Sequence, residues 1–321
     1  MTVSPDPAFL WFNGQIVPWE QATLHATHTI WSSIQTVFEG VRAYWNAEEE
    51  TMHIFRLEEH LRRLKQSMRL VRMDSPYDPM ALVTDLPLLL QRNGVREDTY
   101  IRIVAFPSER RMASRGDEEV LNMLADTAPY PSYLDRDRCL HLMISSYTRI
   151  SEMVMPPRVK SMSNYRNGDL AMREAKLAGY DGAILLNRLG EISECTWSNL
   201  FIVRDGALIT PDHTSDILEG ITRDVLLGLA RERLGIPVQE RRLARTELYL
   251  ADEAFQCGTA AEILPIGSID RYTLGDGGIG PITRQLRDLF RAIVYGRDEA
   301  TSDWLLSVHV PGHIPALLGV S

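Results

Sequence analysis

Turn signals punctuate the second half of this 321-residue chain so closely that few architectures can accommodate it. Residues 183–186 are apolar, Asn187 to Gly190 read as a turn, and residues 191–194 as the returning strand. Residues 200–203, the pair Asp205-Gly206 and residues 207–210 make a second hairpin. A helix is then expected from Gly220 to the stop at Leu234-Gly235. Strand pairs interrupted by single helices predict an α+β protein rather than a regular doubly wound sheet.

The first half obeys the same logic. Asn13-Gly14 joins an apolar run at residues 9–12 to Ile16-Val17 as an N-terminal hairpin. Residues 37–44 and 53–55 read as strands. Leu57, Leu61, Leu64, Met68 and Val71 recur at spacings of 4, 3, 4 and 3, one stripe of an amphipathic helix. A second helix is expected over 80–92, ending at Asn93-Gly94, and a strand over 100–106. Between Phe106 and Asp137 the pattern loosens, with residues 108–119 charged and glycine-containing, which marks the domain junction. Beyond it come a strand over 140–147 and a helix over 170–178 closed by Gly179. The expected organisation is two domains, 1–130 and 131–321.

Composition narrows the function. Acidic residues outnumber basic ones 43 to 34, a net charge of −9, which argues against a nucleic-acid partner. The apolar stretch around 86–90 falls far short of the ~20 residues a membrane span needs, so no membrane partner is expected. Cys139, Cys195 and Cys257 form no CxxC and are too few for a disulfide framework; with no signal peptide read ahead of them, a reducing, cytoplasmic setting is expected. His309 and His313 enclose Pro311 and cannot share a helical turn, so no metal site is expected. The glycine run 275–280 follows no apolar strand and reads as a surface turn, not a nucleotide loop.

Lysine is scarce: Lys65, Lys160 and Lys176 stand against 31 arginines. Covalent amine chemistry could use only these three. Lys65 and Lys176 lie in charged helical stretches, whereas Lys160 follows the rigid Pro156-Pro157 pair. Either it is an ordinary surface lysine or it is catalytic. Glu194 shares a strand face with Ile192, and a carboxylate there needs a partner such as a protonated ring nitrogen, unless that face is wet. Leu218 to Arg223 opens a helix whose free N–H groups suit a phosphate, or form an ordinary cap. The small residues from Cys257 to Glu262 allow close backbone approach to a ligand, or simply make a tight turn.

The order of these segments is more telling than any one of them. Lys160-Ser161-Met162-Ser163-Asn164-Tyr165, Gly179-Tyr180-Asp181, Ile192-Ser193-Glu194, Ser198-Asn199-Leu200-Phe201, Asp205-Gly206, Leu218 to Arg223, Tyr249 to Glu253 and Gly258 to Glu262 follow one another along the chain. Trp11-Phe12-Asn13-Gly14, Val37-Phe38-Glu39-Gly40-Val41-Arg42 and Phe55-Arg56 to Leu64 precede them. Together they resemble the class IV pyridoxal-phosphate aminotransferases, nearest the branched-chain amino-acid type, over about residues 9–295.

The resemblance implies fold type IV: a small sandwich-like N-terminal domain and a larger C-terminal domain with a barrel-like sheet, the cofactor between them. It implies that Lys160 forms the Schiff base with pyridoxal 5'-phosphate and then serves as general base. Glu194 would pair with the ring nitrogen, Tyr165 with the phenolate oxygen, and Leu218 with the ring face. Arg63, backbone N–H groups of Ile221 and Thr222, and the Thr259 hydroxyl would hold the phosphate. Thr259 and Ala260 N–H groups would take the substrate α-carboxylate. Arg102 would read the distal carboxylate of glutamate, and Arg42 lies in the matching pocket-lining strand. The partners implied are an amino acid and a 2-oxo acid, in a homodimer or larger homo-oligomer. Residues 27–36 depart from the family by losing its tyrosine and glycine, and Trp197 stands where a small residue is usual. Those departures leave specialised biosynthetic, D-amino-acid and (R)-amine transaminases of the same fold as alternatives.

Overall fold

The computed structural model describes residues 6–26, 32–107 and 121–311. They divide into two compact units, one of residues up to Pro131 together with those from Ala292, the other Ser132–Arg291.

The first unit is built on a seven-stranded sheet. Its strands are β1 (Phe9–Phe12), β2 (Gln15–Pro18), β3 (Val37–Asn46), β4 (Thr51–Phe55), β5 (Thr99–Pro107), β6 (Leu121–Pro129) and the strand Leu305–His309. The last pairs antiparallel with β4, Leu305 opposite Phe55 and His309 opposite Thr51. The expected second domain therefore does not run to the C-terminus: backbone pairing across some 250 residues draws the final strand into the first unit. Asn13 and Gly14 turn the β1–β2 hairpin with φ of 51° and 88°, the left-handed values that this dipeptide tolerates. Helix α1 (Leu57–Leu70) packs on β3 and buries Leu57, Leu61, Leu64 and Met68. Each such side chain contributes about 1.5–3 kcal/mol by burial. Val71 lies past the helix and is exposed, so the buried stripe ends at Met68. Helix α2 (Leu82–Arg92) is preceded by a short 3-10 turn, Pro79–Ala81. Strand β6 falls within the stretch read as a junction; it pairs with β5 and β1 and buries Leu121, Met123, Ala125 and Thr127. Residues 108–119 and His313 of the sequence reading lie outside the described residues, as do 27–31 of the departing segment.

The second unit carries a nine-stranded sheet of β7 (Leu140–Thr148), β8 (Gly182–Leu186), β9 (Ile192–Cys195), β10 (Asn199–Arg204), β11 (Ala207–Thr210), β12 (Val238–Glu240), β13 (Glu253–Gly258), β14 (Glu262–Ile269) and β15 (Tyr272–Thr273). The order runs β12-β11-β10-β13-β14-β7-β8-β9, with β15 on β14. Helix α3 (Met162–Leu177) lies on β7 and β8. Its Ala171 and Ala175 meet Ala183 and Leu185, while Ile184, on the opposite face, joins a core with Leu142, Ile192, Leu200 and Ile266. A strand buried on both faces reads as the continuous apolar run seen at 183–186. Helix α3 starts well before the expected residue 170. The Ser161 hydroxyl accepts from the Asn164 N–H and caps it, so it begins directly after Lys160. Helix α4 (Ile221–Gly228) follows Gly220, which has no side chain to cap it, and passes into a π turn over Leu229–Arg233. Among the described residues, no helix is long and apolar enough to cross a membrane.

Candidate active site

Lys160 sits on the last residue of an irregular approach to α3. Asn164, one turn into the helix and 1% exposed, donates from Nδ2 to the carbonyls of Pro156 (3.1 Å) and Val159 (2.9 Å). That clamp fixes the backbone from which Lys160 projects. Its Nζ donates to the Tyr165 hydroxyl at 2.5 Å. The lysine and the tyrosine singled out by sequence thus meet across one helix start.

Further along α3, Gly168 lies on the same side as Tyr165, three residues on. A β-carbon there would fall 2.2 Å from the Thr196 carbonyl oxygen and 3.2 Å from Cδ1 of Trp197. Glycine is required for this close approach, which seats the β9–β10 turn against the lysine's helix. Trp197 is half exposed, with Cδ1 of its ring beside Gly168 of that helix. A β-carbon at Gly258 would lie 3.6 Å from Ser198 Cβ, and Gly258 leads into the Thr259-Ala260-Ala261 turn between β13 and β14. Thr259 and Ala260 are half-buried in that turn. Glu262, buried with φ of 52°, accepts from the Ser132 hydroxyl and the Tyr133 N–H, and so pins the turn's far side.

Glu194 is buried at the end of β9 and takes donors from three elements. Its Oε2 accepts from Asn199 Nδ2 and from the Leu218 N–H, each at 3.0 Å. Its Oε1 faces Arg149 Nη2 at 2.8 Å, and both side chains are deeply buried, at 5% and 4% exposure. Arg149 Nε donates to the Asp216 carbonyl at 3.3 Å. The Asn199 amide also donates to the Leu218 carbonyl at 2.9 Å, tying the carboxylate to the segment that leads into α4. A β-carbon at Gly220 would lie 2.0 Å from Asn199 Oδ1, so only glycine can precede this helix. With no side-chain cap at Gly220, the first N–H groups of α4, at Ile221 and Thr222, are not capped by their own N-terminal residue. Thr222 itself is buried at the second helical position. Burial, and then the charge of Glu194, push the neighbouring Cys195 thiol well up, so it stays a thiol.

In the first unit, β3 and β5 pair with Gly40 opposite Arg102 and Arg42 opposite Tyr100. These four share one sheet face. Tyr100 lies across Gly40 so closely that a β-carbon would sit 1.6 Å from its hydroxyl. Arg42 is buried, its guanidinium 5.1 Å from the Tyr44 ring centre and 4.9 Å from that of Tyr130. Arg102 is 57% exposed and paired with Asp126, its register partner on β6, through Nε–Oδ1 at 3.2 Å and a shorter Nη2 contact. Arg63 stands elsewhere: it projects from α1 onto Glu39 of the opposite sheet face, Nε to Oε1 at 2.7 Å and Nη2 to Oε2 at 2.9 Å. His60 Nδ1 completes the cluster 2.8 Å from Glu39 Oε2. Burial opposes a charge on Glu39, but the Arg63 guanidinium and the hydrogen bonds from His60 and Arg63 outweigh it and hold the carboxyl well below its usual range.

The structure therefore brings together Lys160, Tyr165, Glu194, Leu218, the start of α4 and the 259–260 turn through one chain of contacts. Arg149, Asn199 and Glu39 carry no role in the sequence reading. Asn199 and Glu39 lie within motif blocks that carry the resemblance; Arg149 lies in none, and its place is defined by a partner 45 residues along the chain. The residues fit pyridoxal phosphate: an amine on a fixed stem, a buried carboxylate for a ring nitrogen, and uncapped N–H groups for a phosphate.

Comparison with known proteins agrees. The family described as amino-transferase class IV matches residues 36–269. A probable branched-chain-amino-acid aminotransferase of Aquifex aeolicus is 37% identical over 94% of this chain and 97% of its own. The branched-chain amino acid aminotransferase of Thermobaculum terrenum, solved in its PLP form, is 49% identical with a TM-score of 0.90, covering 94% of this chain and 98% of its own. The T.th. branched-chain enzyme, complexed with N-(5'-phosphopyridoxyl)-L-glutamate, is 36% identical with a TM-score of 0.85, covering 94% and 98%. With the lysine, the carboxylate and the helix start assembled as that chemistry needs, the chain belongs to the class IV aminotransferases and has their type IV fold.

Proposed function

We propose that this aminotransferase moves the amino group of a branched-chain or other apolar L-amino acid to 2-oxoglutarate, with pyridoxal 5'-phosphate as its cofactor. The observation that carries the reading is the Lys160–Tyr165 contact at 2.5 Å, made by one of only three lysines. The similarity to branched-chain enzymes, one of them complexed with a phosphopyridoxyl-glutamate, supports the choice of both substrates.

Bound pyridoxal phosphate supplies an aldehyde for the amino group and a ring that accepts electrons as the substrate Cα loses its proton. Every other task falls to side chains and backbone. Lys160 Nζ holds the aldehyde end and moves the Cα proton, and the Tyr165 hydroxyl orients it. Glu194 holds a proton on the ring nitrogen, and Leu218 covers the ring face. Ile221 and Thr222 N–H groups and the Thr259 hydroxyl bind phosphate oxygens; Thr259 and Ala260 N–H groups orient the substrate carboxylate. Arg63 is assigned to the phosphate, and Arg42 and Arg102 to substrate carboxyl groups, as the resemblance implies. Because Arg102 is paired with Asp126, a carboxylate that engages it exchanges one acidic partner for another.

Borohydride reduction of the purified yellow enzyme, followed by peptide mapping, should label Lys160. Label on Lys65 or Lys176 would end the assignment. A screen of amino donors against 2-oxoglutarate and pyruvate should rank branched-chain donors and 2-oxoglutarate first. Sedimentation should find a homodimer or larger homo-oligomer.

A further inference from the structure

We propose that Arg149 is a positioning residue for the transamination, keeping Glu194 ionised and aimed for the cofactor's ring nitrogen. This rests on the reading of Glu194 given above. Of the three named donors to Glu194, Asn199 and Leu218 contribute neutral N–H groups, and Arg149 alone contributes a charge. A carboxylate this deeply buried without a countercharge takes up a proton rather than remain an anion. A neutral acid has no charge with which to hold a pyridinium proton.

Geometry assigns Arg149 to that task. It leaves β7 at the residue after Thr148, and its backbone N–H donates to the Leu186 carbonyl at 2.8 Å at the end of β8. Its Nε is spent on the Asp216 carbonyl. The side chain is thus anchored to backbone groups at both ends, and its Nη2 is directed at Glu194 Oε1. A lysine could supply the charge but not both contacts, since it lacks the planar fork. The buried thiols of Cys195 and Cys257 also feel the charge of Glu194, and neither offers it a countercharge.

The test compares Arg149→Met, Arg149→Lys, Glu194→Gln and the double variant Arg149→Met/Glu194→Gln. The readouts are the dissociation constant of pyridoxal phosphate, the visible band of the bound cofactor, and the melting temperature of the cofactor-free protein. Losing one charge-assisted contact should weaken cofactor binding about 10- to 150-fold in Arg149→Met, with an altered visible band. Arg149→Lys should recover most of that loss, and it carries the test if the methionine variant fails to fold. In the Glu194→Gln background, Arg149→Met should cost less than about threefold, because the residue acts through Glu194. Equal losses in both backgrounds, or a lower melting temperature with an unchanged dissociation constant, would overturn the proposal. So would a lysine variant as weak as Glu194→Gln. If the wild-type protein itself bound no pyridoxal phosphate, the reading of the whole site would fall, a result distinct from additive variants in a protein that does bind it.

Discussion

Each unit of this chain buries a carboxylate against an arginine, and the two do so differently. Glu39, in the first unit, receives two bonds from the single Arg63 fork and one from His60, all from helix α1. Glu194, in the second, is met by Arg149, Asn199 and Leu218, which come from three separate segments. The first arrangement clamps one helix to one strand. The second ties three elements together at a point and leaves no single neighbour in control of the carboxylate. A forked pair on one helix suits a joint between that helix and its strand, whereas a carboxylate met from several segments depends on all of them for its position.

This contrast can be broken at several places. The largest effect is expected from Glu39→Gln, which strands Arg63 in a buried pair and should cost about 3–5 kcal/mol, read from urea unfolding. Its pH dependence follows from the depressed folded pKa: the contribution of Glu39 is complete above the unfolded value of about 4.3 and is lost as pH falls below it. Acid unfolding curves of wild type and Glu39→Gln should therefore converge at low pH; curves that stay parallel would show that the cluster adds no charge-linked stability.

Glu194→Gln tests the other carboxylate and should act on rate more than on fold. We expect a drop of roughly 10²–10³ in the single-turnover rate with a donor amino acid, the scale of losing one group that acts on the reacting system. A rate within a factor of about three of wild type would show that another group serves the ring nitrogen.

Arg102 and Asp126 form a third pair, half exposed. Arg102→Ala should weaken use of glutamate about 10- to 150-fold, or about 1.5–3 kcal/mol, and leucine far less. Steady-state constants for the two donors measured side by side decide it, and equal losses would reduce Arg102 to a strand brace. The smallest effect belongs to Lys65 and Asp78, 3.1 Å apart with both side chains more than half exposed. Lys65→Met should change stability by less than about 1 kcal/mol in thermal melts, as solvent screens the pair.

Much of this molecule is legible in one dimension. Asn13-Gly14 and Asp205-Gly206 mark hairpins because few other residues tolerate the left-handed backbone those turns need. The stripe Leu57, Leu61, Leu64 and Met68 marks a helix because the helical period puts those residues on one face. Lys160 stands out through scarcity, and the ordered motif series supplies its chemistry. Less of α3 is visible: its first turns hold Ser161, Ser163, Asn164 and Asn167, residues that favour caps and turns, so the apolar pattern becomes clear only near Leu170. Trp197 is a departure in the sequence, but only the tertiary structure puts its ring beside Gly168.

The sequence by itself determined many of the elements, the covalent candidate and the family, because backbone preference and motif spacing act over a few residues. Only the tertiary structure decided which charges meet. Arg149 reaches Glu194 across 45 residues, Arg63 reaches Glu39 across 24, and Leu305–His309 closes a sheet begun near the other end of the chain. Such pairings depend on which surfaces exclude water together. A buried charge must find its partner wherever the fold puts it, and no local pattern records where that is.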